Sequence, residues 1–269
     1  MSTDASGDGK RDGKYQVPAV VGAINVLNVL SGTGEAGATQ SELVLETGLS
    51  KSTMHNLLST LESHGFVRRD LNTRQYRLGP ALIPLGNEAT RQVKLVRTTL
   101  DRVAPLAAEH GLSFAVAQPI AADELRIISR FYPPGDVHVG ITVGSSYGPM
   151  DGALGKILLA SKDEAETKKL IKGRKLPAHT RATITSPESL IEEIAEVRSR
   201  GWSASQGELN ENNAAAAGIW GPEGELELVL LALGFPTQLE GERLQEIGAV
   251  LRETADEVMA SAGASRPVG

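Results

Sequence analysis

The chain has 269 residues, no cysteine, and a formal net charge of −6 from 27 lysines and arginines against 33 acids. The missing cysteine excludes disulfides, thiolate metal sites and a cysteine nucleophile, and suits a reducing cytoplasm; the acidic balance excludes indiscriminate nucleic-acid binding over the whole surface. At about 150 residues per domain the length points to two domains, each large enough for its own core.

The first sixteen residues, MSTDASGDGKRDGKYQ, are small, polar and of mixed charge, and are read as a disordered tail, 1–16, with no signal-peptide core. Val20, Val21, Ile24, Leu27 and Leu30 keep helical spacing, and Pro18 suits a first turn. SGTGEAG, Ser31 to Gly37, carries the letters of G-x-G-x-x-G, but a helix precedes it where a dinucleotide fingerprint needs a strand, so it is read as a loop. Thr39 and Glu42 form a capping box for a short helix that Gly48 stops. Ser50 then caps a helix from Lys51 to His64, closed by Gly65. Two helices joined by a tight glycine turn make a helix-turn-helix. FVRRD and RQYRLG, around Leu71, Asn72 and Thr73, read as a β-hairpin, which completes a winged helix over 17–82.

The helical pattern returns from Pro80 to Leu106, with no glycine or proline between Asn87 and Ala104, so a linker helix is expected over 83–100. Beyond it, SFAVAQPI, LRIISRFYP and VHVGITVG read as strands, GALGKILLA and SLIEEIAEVRSRGW as helices, and AAAAGIW and LELVLLALGF as strands around the turn GPEG. An amphipathic helix from Leu239 to about Ala262 closes an α/β (α+β) sensor-like domain over 101–262, before a tail at 263–269. The longest apolar runs, such as Leu226 to Phe235 with its internal Glu227, are too short to cross a bilayer, and no membrane partner is expected.

Two faces carry candidate chemistry. On the helix from Lys51 the leucine stripe is core, and the opposite face presents Lys51, Ser52, Thr53, His55, Asn56 and Ser59. Such short donors and acceptors with one cation can reach phosphates and base edges when a helix N-terminus enters a major groove. Asn56 is suited to an adenine edge, Ser52 and Thr53 to phosphate, and the hairpin residues Arg69 and Arg74 to the backbone or an adjacent minor groove. A solvated polar face is the bland alternative, and a winged helix that docks another protein is a second.

The run LSKSTMHNLLSTLESHGFVRRD followed by YRLGPALIPLG resembles the IclR family of bacterial transcriptional regulators. DGALGKILLA and RATITSPESLIEEIAEVRSRGW continue the likeness over about residues 17 to 262. The resemblance implies a homodimer or homotetramer on double-stranded operator DNA, with an N-terminal DNA-binding domain and a C-terminal GAF-like α/β domain that binds a small-molecule effector. Departures are Asn56 where relatives often have arginine, which implies another base preference, and Met150, Asp151, Gly152 where they often have Leu-His-Ala. Ala215 lies near a frequent Cys or Ser position, and these departures point away from a site built for small keto acids. The aromatic residues Phe114, Tyr147, Trp202 and Trp220, beside the small Gly152, Ala153, Ala215 and Ala217, suggest an aromatic or otherwise largely apolar effector. Packing of the tryptophans in the core is the competing expectation. An enzyme is not expected: GSSYG, Gly144 to Gly148, is not read as the strand-to-helix elbow of a serine hydrolase, and His110, His138 and His179 lack metal-ligand spacing. No cofactor or metal is called for.

Overall fold

The computed structural model describes residues 17–172 and 175–266. The expected tail at 1–16, and residues 267–269 of the tail at 263–269, lie outside the described residues. The chain divides into two compact units, 1–82 and 83–269.

In the first unit α1 (Pro18–Gly32) has proline in its first turn and buries Val26 and Leu30. In α2 (Gln40–Thr47) the capping box is formed: Thr39 Oγ1 accepts the Glu42 amide at 3.3 Å and Glu42 Oε2 accepts the Thr39 amide at 2.7 Å. The Glu42 carboxyl is held below its ordinary pKa chiefly by that Thr39 amide. Gly48, left-handed at φ 70°, ends the helix. Ser50 caps α3 (Lys51–Ser63) by accepting the Thr53 amide at 3.1 Å, and α3 turns Met54 and Leu58 fully into the core. The wing is β1 (Val67–Arg69) antiparallel to β2 (Tyr76–Leu78), with Ala38 bridged to Tyr76 beside it. Gly37, at φ 71°, makes that bridge possible: a Cβ there would lie 2.6 Å from the Tyr76 carbonyl.

The linker helix expected over 83–100 is two helices, α4 (Leu82–Gln92) and α5 (Lys94–Val103). Val93 leaves helical geometry at ψ 89°, while the bonds from Val93 N–H to Ala89 O and from Arg97 N–H to Val93 O persist at 3.1 Å. Neither glycine nor proline explains this break. It falls on a β-branched, largely exposed residue, where χ1 restriction weakens helix preference and no packing opposes a bend.

After α6 (Leu106–His110) come β3 (Ser113–Ala121), β4 (Glu124–Phe131), β5 (Ser146–Tyr147), β6 (Ser203–Gln206), β7 (Asn213–Trp220) and β8 (Leu226–Gly234). They form one antiparallel sheet in the order β5-β4-β3-β8-β7-β6. α7 (Gly152–Ala160), α8 (Glu164–Lys172) and α9 (Pro187–Arg200) come between β5 and β6, and α10 (Gly241–Ser261) follows β8. The unit is mixed α+β. One core cluster joins Phe114, Ala215, Ala217, Leu228 and Leu230 to Leu251 and Ala255 of α10. A second joins the alternate positions Ala115, Ala214, Ala216, Val229 and Leu231 to Leu154, Ile157 and Leu158 of α7. Because both faces are covered, every residue of β7 is buried, and AAAAGIW reads as an unbroken apolar run.

The strand expected at VHVGITVG is irregular, 137–144. Side chains meet its middle instead of a ladder: Tyr132 Oη bonds both N–H and C=O of Ile141 at 2.9 Å, Arg130 donates to Ile141 O at 2.6 Å, and Ser113 donates to Val139 O at 2.7 Å, while Gly144 N–H donates to Ile127 O at 2.8 Å. Four short or charged elements have no clear apolar period to announce them: α6, the edge strands β5 and β6, and the charged helix α8.

Candidate DNA interface and effector pocket

On α3 the side chains of Lys51, Ser52, Thr53, His55, Asn56 and Ser59 are all exposed, opposite buried Met54 and Leu58. Ser50 Oγ gathers the Ser52 hydroxyl at 3.0 Å and the Thr53 hydroxyl at 2.8 Å, so these two side chains secure the first turn. Lys51, His55, Asn56 and Ser59 make no side-chain hydrogen bond or ion pair among the described residues and are free to meet a ligand. The N-terminal amides and positive pole of the helix lie at the same end as Lys51.

The wing turn is shaped by Asp70, whose Oδ1 accepts the Asn72 amide at 2.9 Å and the Thr73 amide at 3.1 Å. The Thr73 amide, then the Asn72 amide, hold the Asp70 carboxyl below its ordinary pKa, and the charge of Arg77 adds in the same direction. Arg74 sits in this turn at φ 60°, with its side chain exposed. Arg69 is exposed too, its guanidinium 5.5 Å from the Tyr76 ring centre. Arg68 and Arg77 oppose each other directly across the hairpin, which adds cations beside the candidate residues. Their strand register, which tertiary pairing sets, is what brings them together.

The structure separates the expected effector residues into two groups. Phe114, Trp202, Ala215, Ala217 and Trp220 belong to the core on the α10 face. Trp202 packs on Gly248 of α10, where a Cβ would come 2.3 Å from its indole, and Arg200 lies 4.4 Å above its ring. Strand alternation explains the separation: Ala214 and Ala216 face α7, so Ala215 and Ala217 cannot. Trp220 does border a cavity of about 440 Å³, but at the far end of α7, beside Ala160, Arg198 and Arg266.

Tyr147, Asp151, Gly152 and Ala153 are brought together at the amino end of α7 around a cavity of about 50 Å³, with Ser205, Leu209, Asn212, Ala214 and Leu231 completing the wall. Met150 and Gly152 border a smaller neighbouring cavity with Lys156 and Glu208. Gly152 takes φ 57°, and a Cβ there would lie 3.1 Å from Ser205 Oγ, so glycine keeps that hydroxyl uncovered. Asp151 is the N-cap position but does not cap: its Oδ2 accepts the Gly148 amide at 2.6 Å, and its Oδ1 lies 3.6 Å from His179 Nε2. Burial, and secondarily the charge of Asp151, raise the Tyr147 hydroxyl above its ordinary pKa and keep it a donor.

Beneath the cavity Lys156 is 4% exposed. Its Nζ donates at 2.7 Å to both Ala204 O and Glu208 Oε1 and lies 3.6 Å from Glu193, which Arg200 also holds at 2.9 Å. Ser205, Asn212 and this ion pair were not anticipated. One signal was present: a single lysine inside the apolar run GALGKILLA must find a carboxylate if the run is buried.

GSSYG carries the letters of a nucleophile elbow, yet Ser146 lies on edge strand β5 and its Oγ accepts from Arg126 at 3.3 Å. No helix among the described residues is long and apolar enough to cross a membrane.

Two family models match the chain: IclR helix-turn-helix domain over residues 19–71, and bacterial transcriptional regulator IclR C-terminal over residues 88–260. The chain is 27% identical over 249 residues to the HTH-type transcriptional regulator KdgR of Escherichia coli (strain K12), covering 92% of this chain and 93% of that protein. The crystal structure of an IclR transcriptional regulator from Alicyclobacillus acidocaldarius matches with TM-score 0.84 and 32% identity, over 93% of this chain and 100% of the other. An IclR homologue from Microbacterium hydrocarbonoxydans, crystallised with 4-hydroxybenzoate, shares the fold at TM-score 0.72 and 21% identity, over 92% and 100% of the two chains. An exposed polar recognition face beside a basic wing, followed by an α+β domain, thus coincides with both halves of one family, and the chain belongs to the IclR family of bacterial transcriptional regulators: it is a DNA-binding regulator of transcription and not an enzyme.

Proposed function

We propose that the protein is an effector-gated repressor of a catabolic or metabolic operon, acting in the cytoplasm as a homodimer or homotetramer on double-stranded operator DNA. The observation that carries the reading is the α3 face, where Lys51, His55, Asn56 and Ser59 are exposed and unpaired opposite a fully buried Met54 and Leu58. Each α3 enters a major groove, with half-sites about one helical turn or a multiple apart. Asn56 reads a base edge, while Lys51 and the wing residues Arg69 and Arg74 contact the backbone. A stripe of exposed apolar residues, Val17 at the N-cap of α1 with Val20 and Ile24 on the helix, supports contact with a second copy.

The effector occupies the cavity at the amino end of α7, and it shifts DNA affinity only by binding the two states of the protein unequally. The aromatic class expected from the sequence rests there on Tyr147, the one aromatic side chain in the wall, while 4-hydroxybenzoate is the ligand of the Microbacterium homologue. A footprint on DNA flanking the protein's own gene tests the reading, with wild type and Asn56→Ala at two salt concentrations. A protected near-palindrome that fades with salt is the expected result, since several released counterions weaken binding by ~10³ or more between about 50 and 200 mM. Absence of protection, with and without candidate effectors, would assign the polar face to a protein partner.

A further inference from the structure

We infer that the effector is a small, neutral, hydroxyl-bearing molecule, a short polyol, and not a carboxylate or an aromatic acid. The inference rests on the reading of the α7 cavity as the effector site, and on four observations there.

First, Ser205 is 3% exposed, lines the cavity, and its hydroxyl has no hydrogen-bond partner among the described residues. Glycine at 152 leaves that hydroxyl open to the cavity, since a Cβ there would lie 3.1 Å from it. Second, no lysine or arginine lines this cavity. Lys156, on the wall of the neighbouring one, is consumed by Glu208 and Glu193. Third, the amino pole of α7, which would otherwise attract an anion, has the Asp151 carboxylate at its N-cap position. A carboxylate ligand would meet that charge, and the basic ring beside it, His179, is already turned to Asp151 Oδ1 at 3.6 Å. Fourth, Asp151, Ser205, Asn212 and the protonated Tyr147 combine acceptors with donors, which matches hydroxyl groups that need both. The space, about 50 Å³, limits the ligand to the shortest polyols.

The full-length protein is titrated with ethylene glycol, glycerol and erythritol, and with the anionic counterparts glycolate, glycerate and erythronate, together with 4-hydroxybenzoate, by calorimetry and saturation-transfer NMR. At least one neutral compound is expected to saturate the protein and to bind at least tenfold more tightly than its carboxylate counterpart. Ser205→Ala is expected to weaken that binding about tenfold with the unliganded melting temperature unchanged, and Asp151→Asn to narrow the gap between neutral and anionic compounds. A carboxylate that binds as tightly as its neutral counterpart, or no saturable binding by any neutral compound, overturns the inference. The two failures are told apart with Ala214→Phe, which fills the cavity, and with Gly152→Ala, which covers Ser205. Carboxylate binding lost in these variants leaves the pocket standing and rejects the ligand class; binding that persists in both rejects the pocket itself.

Discussion

Asn56, Asp70 and Lys156 each depend on a local environment that can be tested singly. Asn56 is exposed on α3, and Asn56→Ala is expected to cost about 1–3 kcal/mol on the matched operator and little on scrambled DNA. Arg69→Ala is expected to weaken both about equally, as read by titration on the two DNAs. Equal losses for Asn56→Ala would contradict its base-reading role. Lys156→Met leaves Glu208 buried without its cation and should destabilise the second unit by about 3 kcal/mol in urea unfolding. Lys156→Met combined with Glu208→Gln should cost less than Lys156→Met alone, because no uncompensated charge remains. Asp70 titrates below its ordinary 3.8 because it accepts two amides, so the order it gives the wing is present above that value and lost as pH falls through the lowered one. Amide exchange at Asn72 and Thr73 followed downward from pH 6 should show protection fading only below that ordinary value.

At the scale of elements, helix boundaries in the first unit follow from residues three or four apart. The Thr39–Glu42 box, the Ser50 cap and the left-handed Gly48 and Gly65 are all local devices, visible as letters in order. Thr39→Ala is accordingly expected to lower stability by about 1 kcal/mol, measured by thermal unfolding, with α2 the element that frays. Elements whose backbone groups are met from afar were not legible in the same way. The segment 137–144 has the alternation of a strand, yet the backbone groups of Val139 and Ile141 bond to the Tyr132, Arg130 and Ser113 side chains. The break at Val93 likewise has no breaker residue to announce it.

For the whole molecule, the core of the first unit and the three core clusters of the second share no residue. Leu58→Ala should therefore lower the melting of the first unit by about 2–5 kcal/mol and leave that of the second unchanged, with two transitions resolved by calorimetry. One transition that moves as a block would contradict independent cores. The helix-turn-helix, the wing, the polar face of α3 and the α+β character of the second unit are legible in the letters, because caps, turns and periods of 2 and 3.6 are written within a few residues. Tertiary structure alone decided which small and aromatic residues line the cavity. A strand's alternation gives two faces without saying which helix covers each, so Ala215 and Ala217 went to the core and Ala214 to the cavity. Lys156 and Glu208, 52 residues apart, became partners only because burial in a low-dielectric interior forces a charge to find its opposite.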